Sequence, residues 1–318
     1  MLERMRAMLV AAGLGTRLDP LTRELPKPAM PVGNRPIAWY ACDHLARNGV
    51  SEIVVNTHHL AAELRSALEP HCPDSVRLSF VHEPVILGTG GGVRNAWQPV
   101  DGEDIVVMNA KLLFAPDLGR ALEAHRQSEA IATMIVRPLP AGSGFSAVEI
   151  DAQDRVRRIR GLPRSASPSS SGLSPRMWTS VQILSARAHR DLPESGDIIE
   201  QAYWRWLERG ELVASVTEHA PWHDVGVTPR DYLQANLALA SGSVRWPGIA
   251  PDARGVIADA HAELGTGSRL ALSCVGEQAV IANGASLTRV VVWPGAHAGG
   301  ELEDAVVTTA GRVVAVGR

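Results

Sequence analysis

The sequence contains little cysteine, and its three cysteines lie far apart. Cys42, Cys72 and Cys274 show neither the short spacing of a metal site nor the even number expected of a disulfide framework. An excess of one charge is also lacking, because 31 basic residues stand against 34 acidic ones, for a net charge of −3. We therefore expect no nucleic-acid-binding surface and a reducing, cytosolic environment.

Long apolar runs are missing as well. The apolar stretch at residues 7–10 follows basic residues but is too short for the core of a signal peptide. No stretch reaches the length that a bilayer-spanning helix needs. We expect a cytoplasmic protein with no membrane partner. A length of 318 residues, 45% of them hydrophobic, suggests one large domain and a smaller one.

The most informative segment is a glycine-rich stretch at residues 11–22, directly after the apolar run. Glycine allows backbone N–H groups to approach phosphate oxygens closely, and Arg17 and Lys27 add positive charge beside the loop. Two better-known phosphate-binding patterns do not fit. A P-loop needs a lysine beside its second glycine, and the dinucleotide fingerprint needs glycine where Leu18 stands. The stretch therefore predicts a nucleoside triphosphate site of another kind.

Three segments together resemble the signatures of the sugar-1-phosphate nucleotidyltransferases. The first runs from Gly13 to Pro28 and reads G-x-G-T-R-L-x-P-L-T…P-K-P. The second is the glycine-rich stretch at residues 87–92, and the third is W-x-D-V-G followed by T-P-x-D-Y at residues 222–232. The resemblance extends along nearly the whole chain. It implies a nucleoside triphosphate and a sugar 1-phosphate as substrates.

The resemblance also implies roles for individual residues. Arg17 and Lys27 would bind the triphosphate, and Asp224 would hold Mg²⁺, which prefers oxygen ligands. In similar enzymes an oxygen of the sugar 1-phosphate attacks the α-phosphorus and pyrophosphate leaves, and here we favour a product of the GDP-mannose type. The expected nucleotide-binding residues come from both glycine-rich segments: Ala12, Gly13, Leu14, Gly15, Thr16, Gly88, Thr89 and Gly90.

The sequence departs from the family pattern at Asn109-Ala110-Lys111, where relatives carry N-G-D. Lys111 thus replaces the first metal-binding carboxylate, and its ammonium group would repel a metal ion. Three alternatives follow. Lys111 takes over the charge of the metal and joins Arg17, Lys27 and Asp224 in catalysis; or it turns away while Asp224 and water complete the metal shell; or the chain is a regulatory relative that binds nucleotides or nucleotide sugars and catalyses poorly.

A second departure concerns the sugar phosphate. The Glu-Lys-Pro of many relatives is Gly161-Leu162-Pro163 here. The polar residues 163–176 predict a surface loop, or alternatively a flap beside the sugar pocket. Glu200, on a predicted helix, could contact sugar hydroxyls, although a solvated position is the simpler interpretation. The arginines that could supply the missing charge are Arg158, Arg160 and Arg164.

Strand-like and helix-like segments alternate through residues 1–243. This alternation predicts an α/β domain with a doubly wound, mostly parallel, Rossmann-like sheet. Residues 244–318 have a different character, with apolar residues at intervals of six that predict a short left-handed parallel β-helix. Such a β-helix could form homo-oligomer contacts through its exposed faces and edges. The residues that carry this interval are Val275, Ile281, Leu287 and Trp293.

Overall fold

The structure is a computed structural model that describes residues 5–98, 102–163, 172–226 and 228–316. Its helices are α1 (Ile37–Arg47), α2 (Ala61–Leu68), α3 (Gly88–Ala96), α4 (Leu118–Ser128), α5 (Trp204–Glu208) and α6 (Pro229–Ala240). Two short strands, Pro31–Val32 and Arg35–Pro36, pair only with each other. The other strands before residue 243 are β1 (Arg6–Val10), β2 (Glu52–Thr57), β3 (Arg77–His82), β4 (Ile105–Asn109), β5 (Leu112–Phe114), β6 (Ala132–Pro138), β7 (Ala147–Ile150), β8 (Val156–Ile159), β9 (Ser174–Leu184), β10 (Val213–Thr217) and β11 (Trp222–Asp224). The later strands are β12 (Val256–Ala258), β13 (Glu263–Leu264), β14 (Arg269–Ala271), β15 (Ser273–Val275), β16 (Val280–Ile281), β17 (Ser286–Val292), β18 (His297–Ala298), β19 (Glu301–Val307) and β20 (Val313–Ala315).

The main sheet has the strand order β8-β7-β9-β4-β1-β2-β3, with β6 paired to β9 and β10 paired to β6. Strands β1, β2, β3 and β4 are parallel, as predicted for this part of the chain. Strand β9 is antiparallel to β4, β6 and β7, so the sheet is mixed rather than mostly parallel. A local apolar pattern such as that of residues 178–184 fits a strand but contains no information on its direction. Residues 174–176, which were expected in a loop, begin β9; residues 164–171 lie outside the described part.

Two apolar clusters cover the two faces of this sheet. Ala7 and Leu9 belong to one cluster and Met8 to the other, because successive side chains of a strand point to opposite faces. All three side chains are fully buried. Helix α6 has a capped first turn: the Thr228 hydroxyl accepts a hydrogen bond from the Asp231 backbone N–H (3.2 Å), and Pro229 is the first helical residue. Within the described residues, no helix is long and apolar enough to cross a membrane.

The C-terminal segment forms parallel ladders between strands that follow one another at an interval of 17 residues, shortened to 15 in the pairing of Ser286 with Glu301. Val256 pairs with Ser273 and Val280 with His297, in each case 17 residues further along the chain. The expected apolar residues, including Val275 and Trp293, are fully buried. Backbones with positive φ recur at matching positions, in the series Gly255, Leu272, Arg289 and Asp304, the pair Gln278 and Gly295, and the series Gly267, Gly284 and Gly300. Parallel pairing is therefore present, and the left-handed β-helix stays a prediction.

The C-terminal segment packs against the N-terminal part through buried polar contacts. The side-chain amide of Asn34 donates hydrogen bonds to the carbonyls of Ile257 (3.1 Å) and Val275 (2.8 Å). The Trp293 indole donates to the Tyr232 hydroxyl (2.9 Å), which donates to the Pro31 carbonyl (2.5 Å). The predicted domain boundary after residue 243 falls between α6 and β12.

Glu24 forms a second link between the two parts. Its carboxylate accepts hydrogen bonds from the Thr308 hydroxyl (2.7 Å) and the Ala310 backbone N–H (3.1 Å). The guanidinium of Arg312 lies 3.8 Å away. Glu24 is three residues from Lys27, so the end of the chain contacts the same segment that carries the basic residues of the signature.

Candidate active site

A cavity of about 210 Å³ opens where β1 and β4 end side by side. In parallel sheets, this carboxyl edge is where ligands bind, because loops and helix N-termini converge there. Residues that the sequence places in different segments share this cavity. Its lining consists of Val10, Ala11, Ala12, Gly13, Arg17, Lys27, Pro28, Thr89, Asn109, Ala110 and Lys111.

Lys111 and Asp224 form an ion pair at the margin of the cavity. The Lys111 ammonium lies 2.5 Å from Oδ2 of Asp224, with the two side chains 18% and 11% exposed. The other oxygen of Asp224 accepts the backbone N–H of Gly226 (2.8 Å). The antiparallel pairing of β11 with β5 brings these residues together across 113 positions of sequence. Lys111 therefore faces Asp224, and the alternative in which it turns away is not the arrangement seen.

Lys27 lies beside this pair and donates a hydrogen bond to the Gly226 carbonyl (2.9 Å). The pKa of Lys27 is lowered to about 8, chiefly because its side chain is buried and then because of the nearby Lys111 charge; Asp224 acts in the opposite direction, and Arg17 lowers the pKa as well. A Cβ at position 226 would lie 2.7 Å from Lys111 Cδ and 2.8 Å from Lys27 Nζ. A side chain at position 226 would therefore displace both lysine side chains from where they converge.

The charges at this edge of the sheet are predominantly positive. The charged residues that line the cavity are Arg17, Lys27 and Lys111, and Asp224 pairs with Lys111 at its margin. Lys27 and Lys111 are also the only two lysines in the 318 residues, since all other basic side chains are arginine or histidine. An anion with several negative charges, such as a polyphosphate, fits this charge distribution.

The first glycine-rich loop only partly lines the cavity. Ala12 and Gly13 line it directly. Leu14 projects from the tip of the loop and is 51% exposed, while Thr16 begins a short 3₁₀ turn. Gly15 has a φ of 67°, which glycine adopts without strain. Contact of these residues with a nucleotide stays a prediction.

The second glycine-rich stretch packs against a neighbouring loop. A Cβ on Gly88 would lie 2.6 Å from the Gly196 carbonyl oxygen, and the Gly90 N–H donates to that same oxygen (2.8 Å). Thr89 lines the cavity, and its hydroxyl accepts the Ile198 N–H (2.9 Å). These glycines permit close packing of α3; their expected contact with the nucleotide base is untested.

Two residues outside the sequence predictions connect the glycine-rich loops. Asn56 Oδ1 accepts the backbone N–H groups of Ala11 (2.7 Å) and Ala12 (3.3 Å). Asn56 Nδ2 donates to Glu83 Oε1 (2.7 Å), and Glu83 Oε2 accepts the Leu87 N–H (3.0 Å). Both side chains are buried, at 1% exposure. The sequence signal that could have identified them is their position at the carboxyl ends of β2 and β3, where polar residues are expected near a ligand.

The candidates for sugar-phosphate binding lie apart from the lysines. Arg160 forms an exposed ion pair with Glu200 (3.0 Å). Arg160 also lines a second cavity of about 180 Å³, together with Phe145 and Trp178. Arg158 has a buried Nε atom without a hydrogen-bond partner among the described residues. Arg164 lies outside them.

The side chains present do not fit a metal ion held by the protein alone. Across the described ranges, no group of three or more histidine, cysteine, aspartate or glutamate side chains could hold one. Both oxygens of Asp224 already accept hydrogen bonds, one of them from an ammonium group. Magnesium at Asp224 therefore stays an expectation from the family resemblance.

The similarity of this chain to known proteins agrees with the family resemblance of its sequence motifs. Residues 6–242 match the profile of a family described as nucleotidyl transferase. The chain is 28% identical over 263 residues to a UTP–glucose-1-phosphate uridylyltransferase of Synechocystis sp., covering 77% of this chain and 66% of the relative. It is 24% identical over 246 residues to a mannose-1-phosphate guanylyltransferase of Mycobacterium tuberculosis, covering 76% and 67%.

A shorter match has higher identity. A D-glycero-alpha-D-manno-heptose 1-phosphate guanylyltransferase of Aneurinibacillus thermoaerophilus is 32% identical over 146 residues, covering 45% of this chain and 62% of the relative. These matches span about two thirds of the relatives' length. Among solved structures, HddC from Yersinia pseudotuberculosis complexed with GMP-PN superposes with a TM-score of 0.58 at 20% identity, over 73% of this chain and 98% of that one. This last similarity concerns the fold.

Proposed function

Because the chain belongs to the nucleotidyl transferase family, we propose that it transfers a nucleoside monophosphate from a nucleoside triphosphate to a sugar 1-phosphate. The observation that carries the proposal is the shared cavity of Arg17, Lys27 and Lys111 beside the first glycine-rich loop. An oxygen of the sugar 1-phosphate forms a bond to the α-phosphorus while the bond to pyrophosphate breaks. The products are a nucleotide sugar and pyrophosphate.

The chain contributes mainly positioning and charge to this reaction. Negative charge accumulates on the phosphate oxygens in the transition state, and cations fixed in advance stabilise it without reorganisation. Arg17 and Lys27 are placed to bind the triphosphate. Asp224 fixes Lys111 through their 2.5 Å ion pair, so this ammonium is held in one orientation.

We propose that Lys111 supplies positive charge that relatives obtain from a metal ion. The support is geometric, since its ammonium occupies the position next to Asp224 and both Asp224 oxygens are engaged. Asp224 is the residue that would hold Mg²⁺ bound to the phosphates of the nucleotide. The chemistry that Mg²⁺ adds there is neutralisation of phosphate charge.

Guanosine triphosphate and a mannose-type sugar 1-phosphate are the favoured substrates. Mannose-1-phosphate and heptose 1-phosphate guanylyltransferases among the relatives support this choice. A uridylyltransferase is also among them, so uridine triphosphate with glucose 1-phosphate is the second pair to test.

The direct test is pyrophosphate release by the purified full chain. Nucleoside triphosphates are combined with mannose, heptose, glucose and N-acetylmuramate 1-phosphates, each with and without Mg²⁺. We expect turnover with at least one pair, and with a guanine nucleotide first. Binding of triphosphate without turnover for any pair would instead support the second candidate function, a regulatory relative that retains the nucleotide pocket.

Lys111 variants separate these two functions. If Lys111 stabilises the transition state, Lys111→Met lowers kcat by roughly 100-fold, as removal of one such donor does in other enzymes. Lys111→Asp then also loses activity. A gain of magnesium-dependent turnover in Lys111→Asp would contradict the catalytic role and identify the natural site as disabled. Circular dichroism and the melting temperature control for folding.

We also propose that residues 244–318 form a left-handed parallel β-helix and contribute homo-oligomer contacts. The parallel ladders and the recurring positive-φ positions support the β-helix. A cytoplasmic location is proposed as well, and the three free cysteines support it. Light scattering of the purified chain tests the oligomer.

A further inference from the structure

Asn56 and Glu83 occupy the space between the two glycine-rich loops and are bonded to both. Strand β1 ends at Val10, and the Asn56 amide oxygen accepts hydrogen bonds from the backbone N–H groups of the next two residues, Ala11 and Ala12. Glu83 follows β3, and its carboxylate closes the turn before α3 through the Leu87 N–H. The 2.7 Å bond between the two side chains is therefore the link that joins one loop to the other.

Helix α3 covers the hydrogen bond between Asn56 and Glu83. A Cβ on Gly92 would lie 2.7 Å from Asn56 Nδ2 and 2.9 Å from Glu83 Oε1. The backbone of α3 thus covers the bond directly, and only glycine leaves enough room. Hydrogen bonds are stronger where water is excluded, and a buried polar group without its partner is correspondingly unfavourable.

In the link between Asn56 and Glu83, the role of each polar atom as donor or acceptor is fixed by its other partners. Asn56 must present its oxygen to the loop N–H groups, so its NH₂ faces Glu83. Glu83 must accept on both oxygens. Within the described residues no basic side chain pairs with Glu83, so neighbouring N–H groups alone compensate its burial.

We propose that Asn56 and Glu83 are positioning residues for the nucleotide: they set the separation of the two loops that hold it. This inference rests on the proposed function, since both loops are expected to bind the triphosphate substrate. It assigns the pair no contact with reacting atoms. A specific result follows: disturbing the link weakens nucleotide binding and leaves the sugar phosphate unaffected.

The test is a reciprocal exchange in the full-length protein. In Asn56→Asp, two carboxylates face each other; in Glu83→Gln, one acceptor becomes a donor and a hydrogen bond is lost. The double variant Asn56→Asp/Glu83→Gln restores every bond, because the introduced glutamine donates its NH₂ to the introduced aspartate and accepts the Leu87 N–H on its oxygen. Net charge is unchanged. Asn236→Asp is the matched control, a buried asparagine that bonds Gly33 and Tyr232 away from the cavity.

Dissociation constants for GTP and UTP are measured by titration calorimetry, and KM for the sugar 1-phosphate wherever turnover occurs. We expect each single variant to bind nucleotide about tenfold more weakly, and the double variant to return to within about threefold of wild type. The KM for sugar phosphate changes less than about twofold, and Asn236→Asp lowers only the melting temperature. Gly92→Ala, which presses on the link without changing its polar groups, gives the same nucleotide-specific loss if Asn56→Asp does not fold.

The outcomes separate this inference from the proposed function. Wild type that binds neither triphosphate would overturn the proposed function, and the inference with it. Wild type that binds nucleotide, with single variants that bind equally well or with additive losses in the double variant, would overturn the inference alone. Equal losses for nucleotide and sugar phosphate would also overturn it, since they indicate a general structural role.

Discussion

Lys27 is a side chain whose charge depends on its surroundings. It is partly buried, it lies beside the charges of Lys111 and Arg17, and its pKa is lowered to about 8. A free lysine keeps its charge to above about pH 10. In this protein the charge of Lys27 is therefore sensitive to pH in the alkaline part of the physiological range, before any ligand binds.

This sensitivity predicts a pH dependence of nucleotide affinity. A triphosphate binds the protonated form of Lys27, so binding raises the pKa of this group. Below about pH 8 the ammonium is already charged and affinity is constant. Above that pH a proton must be taken up on binding, and affinity falls by as much as about tenfold per pH unit. Calorimetric dissociation constants for a nucleoside triphosphate between about pH 7 and 9.5 measure the slope.

Lys27→Arg is the control for this prediction. Arginine remains protonated throughout that range, so the slope should disappear even if the affinity itself is changed. A slope that persists in Lys27→Arg would assign the titration to another group.

At the level of elements, the alternation of strands and helices predicted for residues 1–243 is present. Strand β2, helix α2 and strand β3, for example, follow one another along the chain. Within each element, buried apolar residues recur with the period of the helix or strand, so the element can be recognised from the local sequence. The direction of β9 and the order of strands depend on contacts between distant residues, and local patterns contain no such information.

The same reasoning explains what was predictable in the candidate site. The motifs located Arg17, Lys27 and Asp224, and the family pattern drew attention to Lys111. The pairing of Lys111 with Asp224 was not predictable, because it follows from the ladder between β5 and β11. The Asn56–Glu83 link was missed for a similar reason, since it needs β2 and β3 to be neighbours.

The packing of α3 yields a prediction about a glycine inside this helix. A Cβ on Gly91 would lie 2.5 Å from the Glu194 carbonyl oxygen and 2.7 Å from Ser195 Cα, which are backbone atoms. Gly91→Ala should therefore lower the free energy of unfolding by about 1–3 kcal/mol, despite the better helix propensity of alanine. Chemical denaturation measures the change.

Gly119 in α4 provides the matched control. It is exposed, and its added Cβ would meet only the end of the Asp117 side chain, at 3.4 Å. Gly119→Ala should leave stability unchanged or raise it by up to about 1 kcal/mol. If Gly91→Ala were equally harmless, α3 could not be packed as closely on the loop at residues 193–196 as the structure has it.

At the level of the whole molecule, the C-terminal segment supports the signature segment of the N-terminal part. Glu24 bonds Thr308 and Ala310, and Asn34 bonds Ile257 and Val275. Lys27 lies between these two anchoring residues in sequence. The position of Lys27 thus depends on contacts made with residues more than 200 positions further along the chain.

Glu24→Gln tests this dependence. The glutamine side chain has one acceptor where the carboxylate has two, so the Ala310 N–H or the Thr308 hydroxyl loses its partner. We expect a loss of about 1–2 kcal/mol in the free energy of unfolding, with weaker triphosphate binding. Glu69→Gln, in an exposed pair with Arg65 at 3.6 Å, should change stability by less than about 0.5 kcal/mol. Unchanged nucleotide affinity in Glu24→Gln would show that the two parts act independently.

The C-terminal ladders have a consequence for how this segment can change in length. Val256 pairs with Ser273 and Arg269 with Ser286 over 17 residues, but Ser286 pairs with Glu301 over 15, so the ladders already contain a shorter step. An inserted step would also displace Thr308 and Ala310, which bond Glu24 beside the segment that carries Lys27. The contacts of Glu24 therefore limit growth of this segment, whereas the ladders themselves tolerate steps of different length.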